Sequence, residues 1–234
     1  MDLNALRKPA DGLVSRWINR RVSLAITRRL AGLPITPNQI SIVTMLLGLA
    51  SGVAVAQETY ALGVLGAALL QLQSTLDGVD GELARLRSQC TRLGQWLDTL
   101  SDDLAEFSFL LGLTIASSSS GSSGLATLGL LGLTAYAVAK GILYTLLATV
   151  FRSGNLQDFK WEVGGPRSWT ARIELLFKHD FLCLFFLILA LAGRLDLALF
   201  CMAFGSFTML AKLLQQMLLK RVRAAAAVSD GGDR

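Results

Sequence analysis

Six stretches of the chain are almost continuously apolar: residues 40–56, 60–76, 97–117, 125–151, 181–193 and 195–219. Most approach the ~20 residues a helix needs to cross the hydrocarbon core of a bilayer, and none shows the period-2 alternation of a strand. The run from Phe181 is short. It becomes adequate if it begins near Lys178, whose long stem can carry its charge back to the interface. The pattern therefore predicts an all-α, polytopic membrane protein with six transmembrane helices.

A different pattern precedes the first run. Between residues 13 and 33, Leu13, Val14, Trp17, Ile18, Val22, Leu24, Ala25, Ile26, Leu30 and Leu33 are interleaved with Arg16, Arg20, Arg21, Arg28 and Arg29. This suits a basic amphipathic helix lying in the headgroup region with Trp17 as its anchor; a cytoplasmic helix packed on the bundle is the alternative. Pro34 and Pro37 end it, and Pro37-Asn38 supplies a turn and a polar cap before the first span. The chain thus divides into an N-terminal segment (1–33), a six-helix domain (34–223) and an Ala-rich, then polar tail (224–234) expected to be flexible.

Composition supports a lipid setting. Hydrophobic residues make up 53% and charged residues 17% of the chain, more apolar than a soluble core of this size requires. Lys and Arg cluster before the first run (Arg7, Lys8, Arg16, Arg20, Arg21, Arg28, Arg29), between the second and third (Arg85, Arg87, Arg92), between the fourth and fifth (Arg152, Lys160, Arg167, Arg172, Lys178) and after the last (Lys220, Arg221, Arg223, Arg234). The alternate connections contain one basic residue, Arg194. That asymmetry places both termini on the cytoplasmic side, so the net charge of +5 reports topology rather than a nucleic-acid partner. No hydrophobic core follows Met1–Leu6, so no cleaved leader is expected. Cys90, Cys183 and Cys201 lack metal-site or disulfide spacing and read as packing residues; the lone His179 reads as a surface residue.

Chemistry concentrates at the end of the second run. Asp77-Gly78-Val79-Asp80-Gly81-Glu82-Leu83-Ala84-Arg85 is followed, after eight residues, by Gly94-Gln95-Trp96-Leu97-Asp98-Thr99-Leu100-Ser101-Asp102. On helices, Asp77, Asp80, Gly81, Ala84 and Arg85 share one sector, while Gly94, Asp98 and Asp102 form a stripe on an antiparallel neighbour. Four carboxylates converging near the cytoplasmic edge repel one another unless a hard divalent cation joins them. Gly78, Gly81, Ala84 and Gly94 leave room for a flat or phosphorylated ligand, and Arg85 offers a fork of donors suited to a phosphate.

At these residues the chain resembles the CDP-alcohol phosphotransferase (CDP-alcohol phosphatidyltransferase) family of integral membrane enzymes. The family signature, Asp-x2-Asp-Gly-x2-Ala-Arg-x8-Gly-x3-Asp-x3-Asp, is matched at Asp77, Asp80, Gly81, Ala84, Arg85, Gly94, Asp98 and Asp102. The resemblance implies attack of an acceptor hydroxyl on the phosphorus of a CDP-linked alcohol donor, with loss of CMP. It further implies that Asp77, Asp80, Asp98 and Asp102 hold one or two Mg²⁺ ions, with Mn²⁺ as the alternative, and that Asp102 is the base. Pro37, Asn38, Gly81, Ala84, Arg85, Thr91 and Gly94 would line the CDP donor, and the protein would be a homodimer.

The N-terminal pattern around Arg7–Gly12, residues 15–21 and 34–39, together with Leu76–Glu82, is similar to the branch acting on inositol phosphates, whose members are often fused to a cytidylyltransferase. Without such a domain here, a CDP-inositol donor is expected to come from another protein; CDP-diacylglycerol is an equal candidate. For the polar alcohol acceptor, Lys140 and Tyr144, four residues apart in the fourth run, and Arg152 beyond them are candidate contacts; the alternative is that Lys140 snorkels or pairs with a carboxylate of the cluster. Lys212, in the last run, raises the same question with less support. Two other classes stay open: a divalent-cation transporter or metal-binding membrane protein using the same Asp cluster, and a relative with a dead site. Retention of all eight signature residues weighs against the last.

Overall fold

The computed structural model describes residues 14–151 and 178–231. Residues before Val14, the connection from Arg152 to residue 177 and the last three residues lie outside them, including the candidate acceptor contact Arg152. The described residues are helical throughout, without a strand. A π-helical turn, Ser15–Asn19, leads into α1 (Arg20–Leu30). There follow α2 (Pro37–Val55), α3 (Tyr60–Leu86), α4 (Arg92–Ser119), α5 (Ser123–Leu146) with a terminal π-helical turn (Leu147–Phe151), α6 (His179–Leu191) and α7 (Leu195–Gly231).

Four segments are long and apolar enough to cross a membrane: Pro37–Val55, Tyr60–Leu86, Ser123–Val150 and Leu195–Leu219. They make this an integral membrane protein. The two other expected spans differ for separate reasons. α4 has the length but carries Asp98, Asp102, Asp103 and Glu106. α6 has the apolarity, but its 13 residues rise only about 20 Å. At the far end, α7 continues into the segment expected to be a flexible tail, where four consecutive alanines favour helix.

α4 is the hub, packed against α2, α3, α5 and α7. Small residues let it approach closely: Gly48 and Gly52 of α2 lie against Ala105 and Ser108, and Gly112 of α4 meets the Gly52 backbone, so a Cβ at any of the three would overlap its neighbour. Phe109 of α4 stacks on Phe186 of α6 at 5.8 Å, within a core shared with Val55, Leu70, Leu113 and Leu199. α6 also packs along α3.

α1 turns a polar face inward and leaves Trp17, Ile18 and Val22 exposed on the outer side of its approach. On the inner side Glu82 of α3, fully buried, accepts from Arg20 Nη1 (2.6 Å), Ser23 Oγ (2.7 Å) and Thr27 Oγ1 (2.7 Å). Arg87, which follows α3, donates to the carbonyls of Leu30 (3.1 Å), Ala31 (3.2 Å), Leu33 (2.6 Å) and Ile35 (2.5 Å). These bonds satisfy the open carbonyls at the end of α1 and tie the start of α2 to the end of α3.

Candidate active site

Three helix ends meet at one end of the bundle. α2 begins with a reciprocal cap in which Thr36 Oγ1 accepts from Gln39 N–H and the Gln39 side chain accepts from Thr36 N–H. α3 continues ten residues past its apolar run, which carries the first half of the motif on helix. The chain then reverses through 87–91, with Ser88 in the left-handed region (φ 53°), and Thr91 caps α4 by accepting from Gly94 N–H at 3.0 Å.

These ends enclose a cavity of about 270 Å³ lined by Pro37, Asn38 and Ser41 of α2; Asp80, Gly81, Ala84 and Arg85 of α3; the turn residues Gln89, Cys90 and Thr91; and Gly94, Gln95 and Asp98 of α4. All seven residues expected at a CDP donor are in this lining. Two helix N-termini border it, an arrangement that favours an anionic group, and Arg85 adds a full positive charge. Carboxylate oxygens of Asp77, Asp80 and Asp98 lie within 4.8 Å of one another. Asp80 is buried; one oxygen accepts from Ser41 Oγ at 2.5 Å and the other from Gly81 N–H. Three converging carboxylates, hard oxygen donors without a sulfur or imidazole among them, fit a Mg²⁺-type cation.

Asp102, one turn beyond Asp98 on α4, is not among the residues lining the cavity. Its Oδ1 accepts from Gln73 Nε2 at 2.8 Å and lies 3.7 Å from His179 Nε2. His179 is thus not the surface residue expected from its charged neighbours. Its ring turns into the bundle, with Nε2 3.2 Å from Gln73 Oε1 and Nδ1 2.8 Å from Glu106 Oε1. Of the candidate acceptor residues, Lys140 and Tyr144 are also engaged with an acid. Lys140 pairs with Asp103, and Tyr144 donates to it at 2.5 Å. Tyr136 donates to Glu106 at 2.9 Å and lies under Lys140, whose ammonium is 5.1 Å from its ring centre.

Gln73, Asp103, Glu106 and Ser41 were not singled out by motif reasoning, yet two had a visible signal. Glu106 extends the i,i+4 stripe of Gly94, Asp98 and Asp102, and Gln73 stands four residues before Asp77 on the same helix. Ser41 and Asp103 had none, because their roles depend on pairing between helices.

The geometry agrees with comparisons against known proteins. Over 111 residues, 47% of this chain, it is 41% identical to a bifunctional IPC transferase and DIPP synthase of Aquifex aeolicus, covering 25% of that protein. A protein of the same description from Thermococcus kodakarensis is 39% identical over 112 residues, 48% of this chain and 25% of its own. An archaetidylinositol phosphate synthase of Pyrococcus horikoshii is 34% identical over 91 residues, 38% of this chain and 46% of its own. The matches thus span about a quarter of the length of the bifunctional relatives. The family model for CDP-alcohol phosphatidyltransferases matches residues 34–218, which takes in the three helix ends, the cavity and every Asp of the motif, and the chain belongs to that family.

Proposed function

We propose that the protein transfers a substituted phosphoryl group from a CDP-linked alcohol, CDP-diacylglycerol or CDP-inositol, to a hydroxyl of a polar alcohol such as an inositol phosphate, releasing CMP. The observation that carries this reading is the cavity itself: two helix N-termini, Arg85 and small residues around an opening beside the Asp77–Asp80–Asp98 group. The names of the relatives, an archaetidylinositol phosphate synthase among them, favour the inositol-phosphate branch.

In this reading Pro37, Asn38, Gly81, Ala84, Thr91 and Gly94 admit the nucleotide, and Arg85 with the two helix ends orients its pyrophosphate. Asp77, Asp80 and Asp98, with Asp102 as a further ligand, would hold a divalent cation, Mg²⁺ or Mn²⁺, which would supply charge neutralisation for the pyrophosphate and for CMP as it leaves. Asp102 takes the proton of the acceptor hydroxyl as its oxygen bonds to the donor's phosphorus; the bond from that phosphorus to CMP breaks, and CMP departs with the electron pair. Lys140, Tyr144 and Arg152 serve the acceptor's anionic end. α4 and α6 complete a six-span bundle whose acids face inward, the termini and cavity lie on the cytoplasmic side, α1 rests in the headgroup region through Trp17, Ile18 and Val22, and the protein works as a homodimer.

The cation-transport reading has no support from family membership. Its carboxylates also gather beside a cavity at one end of the bundle, with Arg85 among them. The deciding experiment incubates detergent-purified protein with Mg²⁺, each CDP donor and a panel of alcohols including inositol phosphate. Acceptor-dependent CMP release with a product of the summed mass supports transfer; folded protein that releases none with any donor refutes it.

A further inference from the structure

We propose that Gln73 and His179 are positioning residues that hold the Asp102 carboxylate in place for the acceptor hydroxyl, an inference that rests on the transferase reading above. Asp102 lies on α4 one turn beyond Asp98, and its carboxylate meets side chains of α3 and α6. Gln73 on α3 supplies the direct bond, Nε2 to Asp102 Oδ1 at 2.8 Å. A primary amide can be reversed by rotation, and reversal here would set oxygen against oxygen. The His179 ring faces an acceptor at each nitrogen, Glu106 Oε1 at Nδ1 and Gln73 Oε1 3.2 Å from Nε2, so it is the doubly protonated imidazolium, donating to both, that selects the productive orientation. Glu106 is braced in turn by the Tyr136 hydroxyl at 2.9 Å. Four helices, α3, α4, α5 and α6, thereby contribute to the setting of one carboxylate.

Such polar chains are built where orientation matters, because each buried member must find a partner and each partner restricts the next. α6 packs along α3, and His179 is its first residue. Asp180, which follows, accepts from Ser15 N–H at 2.6 Å, pinning this helix start against the N-terminal π-helical turn. The position of His179 is therefore set by helix packing and by that anchor.

The test compares the variants H179A, H179Q and H179N in purified full-length protein, with thermal unfolding as the folding control. Loss of an outer partner costs about 10- to 100-fold in activity. We expect that loss in the kcat of H179A with the donor KM unchanged, because neither Gln73 nor His179 lines the cavity. H179Q keeps a donor where Nε2 stood and recovers most of kcat; H179N keeps only the Glu106 side and does not. The double variant Q73L/H179A loses less than the product of the two single losses, because both side chains act on the same carboxylate, His179 also facing it directly at 3.7 Å. Wild-type kcat in H179A, equal recovery by H179N, additive loss in the double variant, or a kcat loss that simply follows the unfolding temperature overturns the proposal. If the wild-type protein releases no CMP with any donor, the transferase reading fails on its own. A crystal structure of H179A then decides the positioning: a lost Gln73–Asp102 contact upholds it and a retained one overturns it.

Discussion

Replacing Glu82 by Ala tests how the N-terminal helix is held. Glu82 is fully buried and accepts three bonds from α1, one from the guanidinium of Arg20, whose side chain is 5% exposed. The substitution removes the carboxylate facing a buried cation and leaves two hydroxyls to find other acceptors. Breaking one side of a buried ion pair costs about 3–5 kcal/mol. The loss falls on the attachment of α1, since all three donors lie on that helix or its first turn. Hydrogen exchange of the α1 amides in detergent reads this directly: protection falls by about two to four decades, the same energy at about 1.4 kcal/mol per decade. E82Q, which keeps one acceptor oxygen, falls between Ala and wild type. The paired change R20M/E82L recovers most of the protection, because it removes both charges from the apolar contact. Unchanged α1 protection in E82A, within about threefold, would refute the argument by showing that apolar contact alone holds the helix.

Three further outcomes follow from the cavity and its acids. Asp102→Asn lowers kcat by about 10²- to 10⁴-fold with an unchanged unfolding temperature, the range for losing a general base; near-normal turnover removes the base assignment. Arg85→Ala lowers kcat/KM for the CDP donor by about 10- to 150-fold, the equivalent of a charge-assisted bond of about 1.5–3 kcal/mol, and a change confined to acceptor KM would contradict its place in the cavity. Cys90 is exposed and lines the cavity, so CDP donor should slow its alkylation by a maleimide while Cys183, buried in the core, stays unreactive throughout. Equal labelling of Cys90 with and without donor would place the nucleotide elsewhere.

The apolar runs anticipated where the helices lie because lipid-facing and core-facing positions are alike hydrophobic in a membrane bundle. They misjudged the ends where a different force acts. α3 extends through Asp77–Leu86 because that stretch has its own partners, Glu82 against α1 and Asp80 against Ser41. α4 looked like an ordinary span until Asp103 and Glu106 were seen to face Lys140 and Tyr136 across the interior. The signature spacing brought three of its four carboxylates together, since Asp77 and Asp80 share a helix face with Asp98 opposite. Asp102, one turn beyond Asp98, also meets Gln73 and His179, and the link between residue 179 and residue 73 leaves no periodic trace in the chain. As donor contacts Thr91 and Asn38 were legible only through family resemblance, and the cap read at Pro37-Asn38 is made instead by Thr36, one residue earlier.

Arg87 gives the linker between α1 and α2 a required length. Its guanidinium meets carbonyls from Leu30, Ala31, Leu33 and Ile35, so the path between the two helices is measured against a single planar group. One residue added between Gly32 and Pro34 would shift Leu33 and Ile35 out of reach while changing no cavity residue. α2 would then enter at a new height, and Ser41 would no longer meet Asp80. The linker is a ruler: it sets the vertical register of the cavity wall contributed by α2 against the acids contributed by α3, so length, more than composition, is what a change in this loop must preserve.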